Sequence, residues 1–296
     1  MQPPDSTDLD ITKRRFTLPF ADTFSRWPWW AVVAAILGVL LAWYFTTDET
    51  YSNILRIVGR GIGITLTVTF LAYTFSVILG LIIALGRVSR NFFIYQIASF
   101  YVEILRGVPT LVLLLYIAFV GFPVMVQWLN GIGRWIIETP ITPLLGLGSA
   151  LEGLVLRDID NTVRVVIALT IAYSAFIAEI FRAGIESIEV GQMEAGRALG
   201  MSYWQAMRYI VLPQAIRRVL PPLGNDFIAM LKDSSLVSAL GVQDITRLAT
   251  LNAANTYRVI ESYNVVAYLY LVMTLLLSLV VKQIEKRMSR ELNDKS

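Results

Sequence analysis

The chain contains no cysteine and no histidine. These absences exclude disulfides, thiol nucleophiles, His-ligated metals and imidazole acid–base chemistry. Charge is scarce as well: Asp, Glu, Lys and Arg make up 16% of 296 residues, against about 25% in an ordinary soluble domain. A phosphate loop of the G-x-x-x-x-G-K-[ST] type is missing, and no nucleophile–base pair stands out. What fills the space is apolar, at 56% of residues with a mean hydropathy of +0.61. That is the composition of a membrane protein with room for about five to seven spans. The net charge of +3 says little about partners, and nucleic acid is not expected among them.

Long apolar runs place the spans. The first lies at 27–46, anchored by Trp27, Trp29 and Trp30 at one end and Trp43 and Tyr44 at the other, as interfacial aromatics do. Asp5, Asp8 and Asp10 upstream argue against a secretory signal. The polar residues 1–26, with Pro3 and Pro4, are expected to form a disordered tail. Further spans are expected at 61–86, 99–120 and 163–181, then from just after Pro221-Pro222 to about residue 240, and at 265–281. Six crossings put both termini on one side. Lys13, Arg14, Arg15, Arg87, Arg90, Arg182, Arg197, Arg217 and the basic tail 286–296 gather there, so that side is expected to be cytoplasmic. The extracytoplasmic connection 121–160 is rich in Gly and Pro, with apolar patches around Trp135 and Leu144. Periodicity leaves open whether it holds an interfacial or re-entrant helix.

A loop of about forty residues, 184–220, separates the fourth and fifth spans, far longer than a turn requires. It reads as a helical hairpin. Gly200 can end the first helix in the left-handed conformation. Ser202 with Gln205 makes a capping box that starts the second, and Pro213 is expected to end or bend it. Glu194 stands near the middle of the first helix, where a carboxylate can accept charge-assisted hydrogen bonds from a partner.

Glu194, Ala195, Gly200, Ile210, Leu212 and Pro213 stand at the spacing of the coupling motif of MetI-like ABC importer permeases, Glu-Ala-Ala, three residues, Gly, nine residues, Ile-x-Leu-Pro. Gly196 replaces the second Ala, at a helix-propensity cost of about 1 kcal/mol. Segments such as Glu103-Ile-Leu-Arg106-Gly107, Glu179-Ile-Phe-Arg182 and Gly224-Asn225-Asp226 through Lys232-Asp233-Ser234-Ser235 resemble the polar amino-acid group of these permeases, which serves histidine, glutamine and arginine. The resemblance implies an all-α membrane protein, a MetI-like transmembrane domain at 58–285 with five core helices and one extra N-terminal helix. It also implies that the loop docks on a separate ATP-binding subunit. No cofactor is expected in this chain; ATP and Mg belong to two ABC ATPase subunits. A second permease, identical or paralogous, an extracytoplasmic amino-acid-binding protein and membrane lipid complete the expected partners. The extra span and the long connection depart from the short members.

Charges within the spans are costly and face the bundle interior or a water-filled path by default. Glu103 with Arg106, and Glu179 with Arg182, are each three apart and expected to pair on one helix face as a gate. Lys232 lies ten residues past Pro222, about 15 Å along a helix and so near the midplane. Asp233, Ser234 and Ser235 beside it offer an anion and donors for a zwitterionic substrate, and Asp226, seven residues earlier, shares the face of Asp233. Thr65, Thr67 and Thr69 are expected to add hydroxyls to the same path. Two rival readings are a permease for an amino-acid derivative, such as an opine or an ectoine-like solute, and an ATP-independent secondary transporter. The second leaves the hairpin without a purpose.

Overall fold

A computed structural model describes residues 29–139 and 144–293, and every regular element among them is helical. The expected tail 1–26 and the last three residues of the tail 286–296 lie outside the described residues. The chain divides into two units after Tyr44. In the first, α1 (Trp29–Thr47) begins and ends close to the expected limits and exposes apolar side chains along its length, among them Val33, Leu37 and Leu40.

The second unit starts with an element that the apolar runs do not reveal. Asp48 accepts from the Tyr51 amide at 3.0 Å and caps α2 (Glu49–Gly59). This amphipathic helix buries Ile54 and Val58 against Ile245, Ala249 and Val265. Next comes α3 (Gly61–Arg87), the expected second span. It packs along α8 (Asn161–Glu186), whose first turn is capped by Asp160 accepting from the Thr162 amide at 2.6 Å. Ala72, Ala84, Ala168, Ala172, Ala175 and Ala178 in this pair are fully buried. A Cβ added to Gly80 would stand 2.7 Å from Ile177. Small residues let the backbones close in, which is how helices associate where lipid removes the hydrophobic drive. Ser76 Oγ donates to the Thr170 carbonyl at 3.2 Å, a turn before Gly80 meets Ile177, so the two helices run parallel.

The third crossing corrects the expected 99–120. α4 (Phe92–Gly107) stops at Val108, which is extended at φ −103° and ψ 137°. Pro109 forces that stop, since the residue before a proline is driven out of the helical region. The chain resumes as α5 (Thr110–Tyr116), a π-turn (Ile117–Gly121) and α6 (Phe122–Glu138) without a further break. Tyr101 meets Ser174 at 2.7 Å, whereas Phe122 lies 5.8 Å from the Arg164 guanidinium. This crossing therefore rises antiparallel to α8 and passes its N-terminus. Beyond that level α6 folds back on α7 (Leu145–Glu152), so the 121–160 connection contains a helical hairpin. Residues 140–143 of it lie outside the described residues.

After α8, the chain forms α9 (Val190–Ala198), α10 (Tyr203–Ala206), a π-turn (Met207–Val211) and α11 (Leu212–Asp233). The helix expected as the fifth crossing thus begins before Pro221-Pro222 rather than after them. The two prolines free the carbonyls of Arg217 and Arg218, at exposed positions, so the helix passes through. A 3₁₀ stretch (Ser234–Leu240), α12 (Ile245–Thr256) and α13 (Val259–Asn293) complete the chain, and α13 runs past both limits of the expected 265–281. Among the described residues, four helical stretches are long and apolar enough to cross a membrane: Glu49–Arg87, Thr110–Glu138, Asn161–Glu186 and Val259–Ile284. α11 carries Arg217, Arg218, Asp226, Lys232 and Asp233, and it packs against α8 and α13.

Candidate functional site

The 184–220 loop is built as its residues dictate. Gly200 has φ 85°, so only a residue without a Cβ is unstrained there, and α9 ends before it. Ser202 and Gln205 form the reciprocal capping box: the Gln205 amide donates to Ser202 Oγ at 3.3 Å and the Ser202 amide to Gln205 Oε1 at 2.8 Å. Pro213 does not end the second arm: it follows the π-turn directly, inside a helical path that runs from Tyr203 to Asp233. The second arm of the hairpin is therefore continuous with the fifth crossing. Gly196 is buried, and a Cβ there would stand 2.6 Å from Ile210 Cδ1 and 3.2 Å from Ala206 Cβ. Glycine at that position, in place of the family's alanine, lets α9 seat on the second arm. Below it Ile185, Ile188, Met207, Val211 and Ala215 form a small core.

The outer side of the hairpin is open. Glu194 and Ala195 are exposed, and so are Val190, Leu199, Trp204 and Tyr209, with Leu199 84% exposed. Sequence reading missed these four as partner-facing residues. Their exposure, not their type, distinguishes them, and apolar patches on a charged surface mark interaction sites.

The charged residues of the spans gather, and one of the two expected pairs forms. Arg182 pairs with Glu179 at 2.5 Å as expected and also with Glu186 at 2.5 Å. Glu103 does not pair with Arg106. Its partner is Arg87, at 3.4 Å, and Arg87 also binds Glu179 at 2.6 Å. Arg106 turns instead toward Glu179 at 3.9 Å and stacks 5.8 Å from the Phe176 ring. The reason is burial: the Glu179 side chain is 24% exposed and that of Glu103 70%, so the less solvated carboxylate draws the cations. Glu179 is the hub, and Arg87, which sequence reading counted only as an orienting charge, bridges it to Glu103.

Asp226 and Asp233 share a side of α11, as their spacing predicts. Asp233 accepts from the Tyr173 hydroxyl at 2.7 Å, a partner that no motif announced. Asp226 borders a cavity of about 660 Å³ whose wall also carries Arg106, Glu179 and Arg218; its Oδ2 is buried without a protein hydrogen-bond partner. Lys232 is exposed. Ser234 is fully buried and donates to the Leu231 carbonyl at 2.6 Å, and Ser235 is half-buried. The three threonines do not form one set. Positions two apart on a helix point to nearly opposite sides, so Thr67 is exposed while Thr65 and Thr69 are buried. Thr69 donates to the Thr65 carbonyl at 2.7 Å, and Thr65 Oγ1 accepts from the Ile245 amide at 3.3 Å. The Thr65 hydroxyl thus ties α3 to the start of α12.

Residues 76–290 match the profile of the family described as binding-protein-dependent transport system inner membrane component. The chain belongs to that family. This permease is 32% identical over 229 residues to the glutamine transport system permease protein of Escherichia coli strain K12, spanning 77% of this chain and 91% of that one. It is 35% identical over 226 residues to the probable glutamine ABC transporter permease protein of Bacillus subtilis strain 168, spanning 76% and 90%. A solved structure of an amino acid ABC transporter with histidines matches it with a TM-score of 0.62 at 40% identity, covering 82% of this chain and 98% of that one. The all-helical, MetI-like fold expected from sequence is the fold found. The permease is a multi-pass inner-membrane protein and a subunit of an ABC importer, which leaves the secondary-transporter and amino-acid-derivative readings unfavoured.

Proposed function

We propose that this permease takes up polar L-amino acids, driven by ATP and Mg bound on two separate ABC ATPase subunits, with no catalysis of its own. A second permease, identical or paralogous, completes the path, and an extracytoplasmic binding protein selects the cargo. Both termini and the 184–220 loop face the cytoplasm in this reading. The observation that carries it is the exposed Glu194 on a helix wired, through the Gly196–Ile210 seat, to the crossing that bears Asp226 and Asp233.

The cavity beside α11 supports the cargo class. An α-amino acid needs an anion for its ammonium and cations for its carboxylate; Asp226 and Glu179 supply the first, Arg106 and Arg218 the second. The relatives from Escherichia coli and Bacillus subtilis are named for glutamine, arginine and cystine, all polar amino acids. Lys232, Asp233 and Ser235 line the continuation of the path. Arg87, Glu103, Arg106, Glu179 and Arg182 form its inner gate, opened by exchanging partners around Glu179.

Glu194→Ala tests the coupling. A charge-assisted hydrogen bond contributes about 1.5–3 kcal/mol, so ATPase docking should weaken roughly ten- to hundredfold. In reconstituted complexes, uptake and substrate-stimulated ATP hydrolysis should fall while the permease keeps its thermal stability. Full-rate pumping by that variant would sink the reading.

A further inference from the structure

The hairpin within the 121–160 connection presents an exposed helix whose surface is divided into arcs. The stretch from Thr110 to Glu138 is an uninterrupted 29-residue helical run, about 43 Å long at 1.5 Å per residue. That exceeds the roughly 30 Å of a hydrocarbon core. The run is preceded by α4, which has already climbed alongside α8 before the stop at Val108. Much of α6 therefore lies beyond the level where Phe122 meets Arg164.

Along this run Tyr116, Val120, Val124, Trp128, Ile132 and Trp135 recur every three or four residues and are all exposed, Trp128 at 73% and Trp135 at 61%. They form one stripe, continuous with the exposed apolar side of the crossing itself. A shallow cavity of about 390 Å³ opens on it between Trp128, Ile132 and Trp135. Gln127, Arg134 and Glu138, also exposed, share a separate arc, at spacings of seven and four residues. Val126, Gly133 and Ile136 take the third arc and are buried.

The buried arc is tightly braced. A Cβ on Gly133 would strike the Glu152 amide nitrogen, and one on Gly148 would stand 3.0 Å from both Ile136 and Ile137. Asn130 donates to the Leu154 carbonyl at 3.1 Å, and Arg164 donates to the Leu156 carbonyl. The hairpin is thus held in place with its tryptophans turned outward.

We propose that the α6–α7 hairpin is a lipid-binding paddle, tilted into the interface of the leaflet opposite the coupling loop so that its Trp128–Ile132–Trp135 stripe meets the acyl–headgroup boundary. A helix wholly in water would not carry that stripe, and one wholly in hydrocarbon would not carry Gln127, Arg134 and Glu138 beside it. An exposed surface split into an apolar and a polar arc is what an interface selects, and tryptophan is the residue enriched there. Continuity with the lipid-facing side of the same helical run favours lipid over a soluble partner. The proposal rests on the membrane crossing and not on ATP coupling or cargo.

The absence of native cysteine makes the test direct. Trp128→Cys, Ile132→Cys and Trp135→Cys would be compared with Gln127→Cys and Arg134→Cys in the full permease complex. The host is a nanodisc of phosphatidylethanolamine and phosphatidylglycerol, which leaves both faces open to a membrane-impermeant maleimide. Labelling at the three stripe positions should be slower by on the order of tenfold than at the two polar ones. Spin labels there should respond to oxygen dissolved in the lipid rather than to an aqueous nickel chelate. Equal labelling on both arcs would overturn the paddle. So would fast labelling of the stripe that slows only when the soluble binding protein is added, which would assign the surface to that protein.

Discussion

Replacing Arg87 by methionine removes the guanidinium that bridges Glu179 and Glu103 while keeping much of the apolar stem, which separates charge from packing. The Arg87 side chain is 10% exposed and reaches Glu179 at 2.6 Å. Breaking a fully buried pair costs about 3–5 kcal/mol, because the partner charge is left alone. Glu179 is not left alone. It is 24% exposed, keeps Arg182 at 2.5 Å and has Arg106 at 3.9 Å. The expected loss is therefore about 1–2 kcal/mol. Against Glu103, whose side chain is 70% exposed, the coupling should stay below about 0.5 kcal/mol.

Double-mutant cycles read these couplings directly. Arg87→Met would be combined with Glu179→Gln and with Glu103→Gln, and the Glu103→Gln, Arg106→Met cycle run beside them. Stability would be followed by reversible denaturation in mixed micelles, and gate integrity by ATP hydrolysis without cargo, which should rise when the cluster is weakened. The order expected is Arg87–Glu179, then Arg87–Glu103, with Glu103–Arg106 near zero. A Glu103–Arg106 coupling larger than that of Arg87–Glu179 would refute the burial argument.

Gly196→Ala should change the thermal midpoint little, because its Cβ meets the far end of a flexible side chain at 2.6 Å. The displaced rotamer costs about 0.5–1.5 kcal/mol against a helix-propensity gain of about 1 kcal/mol. Adding Ile210→Val should then raise the midpoint above that of the single variant, and a further loss would contradict the seat described. Tyr173→Phe deletes the donor to Asp233 and should cost about 1.5–3 kcal/mol of stability. In an Asp233→Asn background the same change should cost less, and an equal loss in both backgrounds would show that the hydroxyl serves something else.

The parts legible in the sequence were those written in local chemistry. Gly200, Ser202 and Gln205 announce their helix end and start because the groups that satisfy one another lie within three residues. The helices at α1, α3, α8 and α13 follow from apolar runs alone. What stayed hidden depends on partners distant along the chain. Arg87 meets Glu179 across 92 residues and Tyr173 meets Asp233 across 60, and no spacing rule reaches that far. Glu103 and Arg106 have the right spacing to pair, yet a less solvated carboxylate on another helix takes the arginine. Thr65, Thr67 and Thr69 failed for a simpler reason, since alternate positions share a face on a strand and not on a helix. The prolines misled in both directions: Pro109 breaks a crossing expected to be whole, while Pro221 and Pro222 sit inside one expected to start after them.

The continuity of the second arm of the hairpin with the fifth crossing bears most on mechanism. From Tyr203 through the π-turn to Asp233 the backbone stays helical, and a helix transmits axial and rotational displacement along its length. α9 bears on this rod through Gly196 and Ile210 at one end. Farther along, the rod carries Asp226 at the cavity wall, and its last residue, Asp233, is tied to α8 through Tyr173. Under the proposed coupling, a partner that moves Glu194 would move both carboxylates relative to α8, where Glu179 holds the arginine cluster. Had Pro213 ended the second arm, one of the two outcomes its position suggests, a flexible joint would lie between the docking surface and the path; the helix instead passes through it.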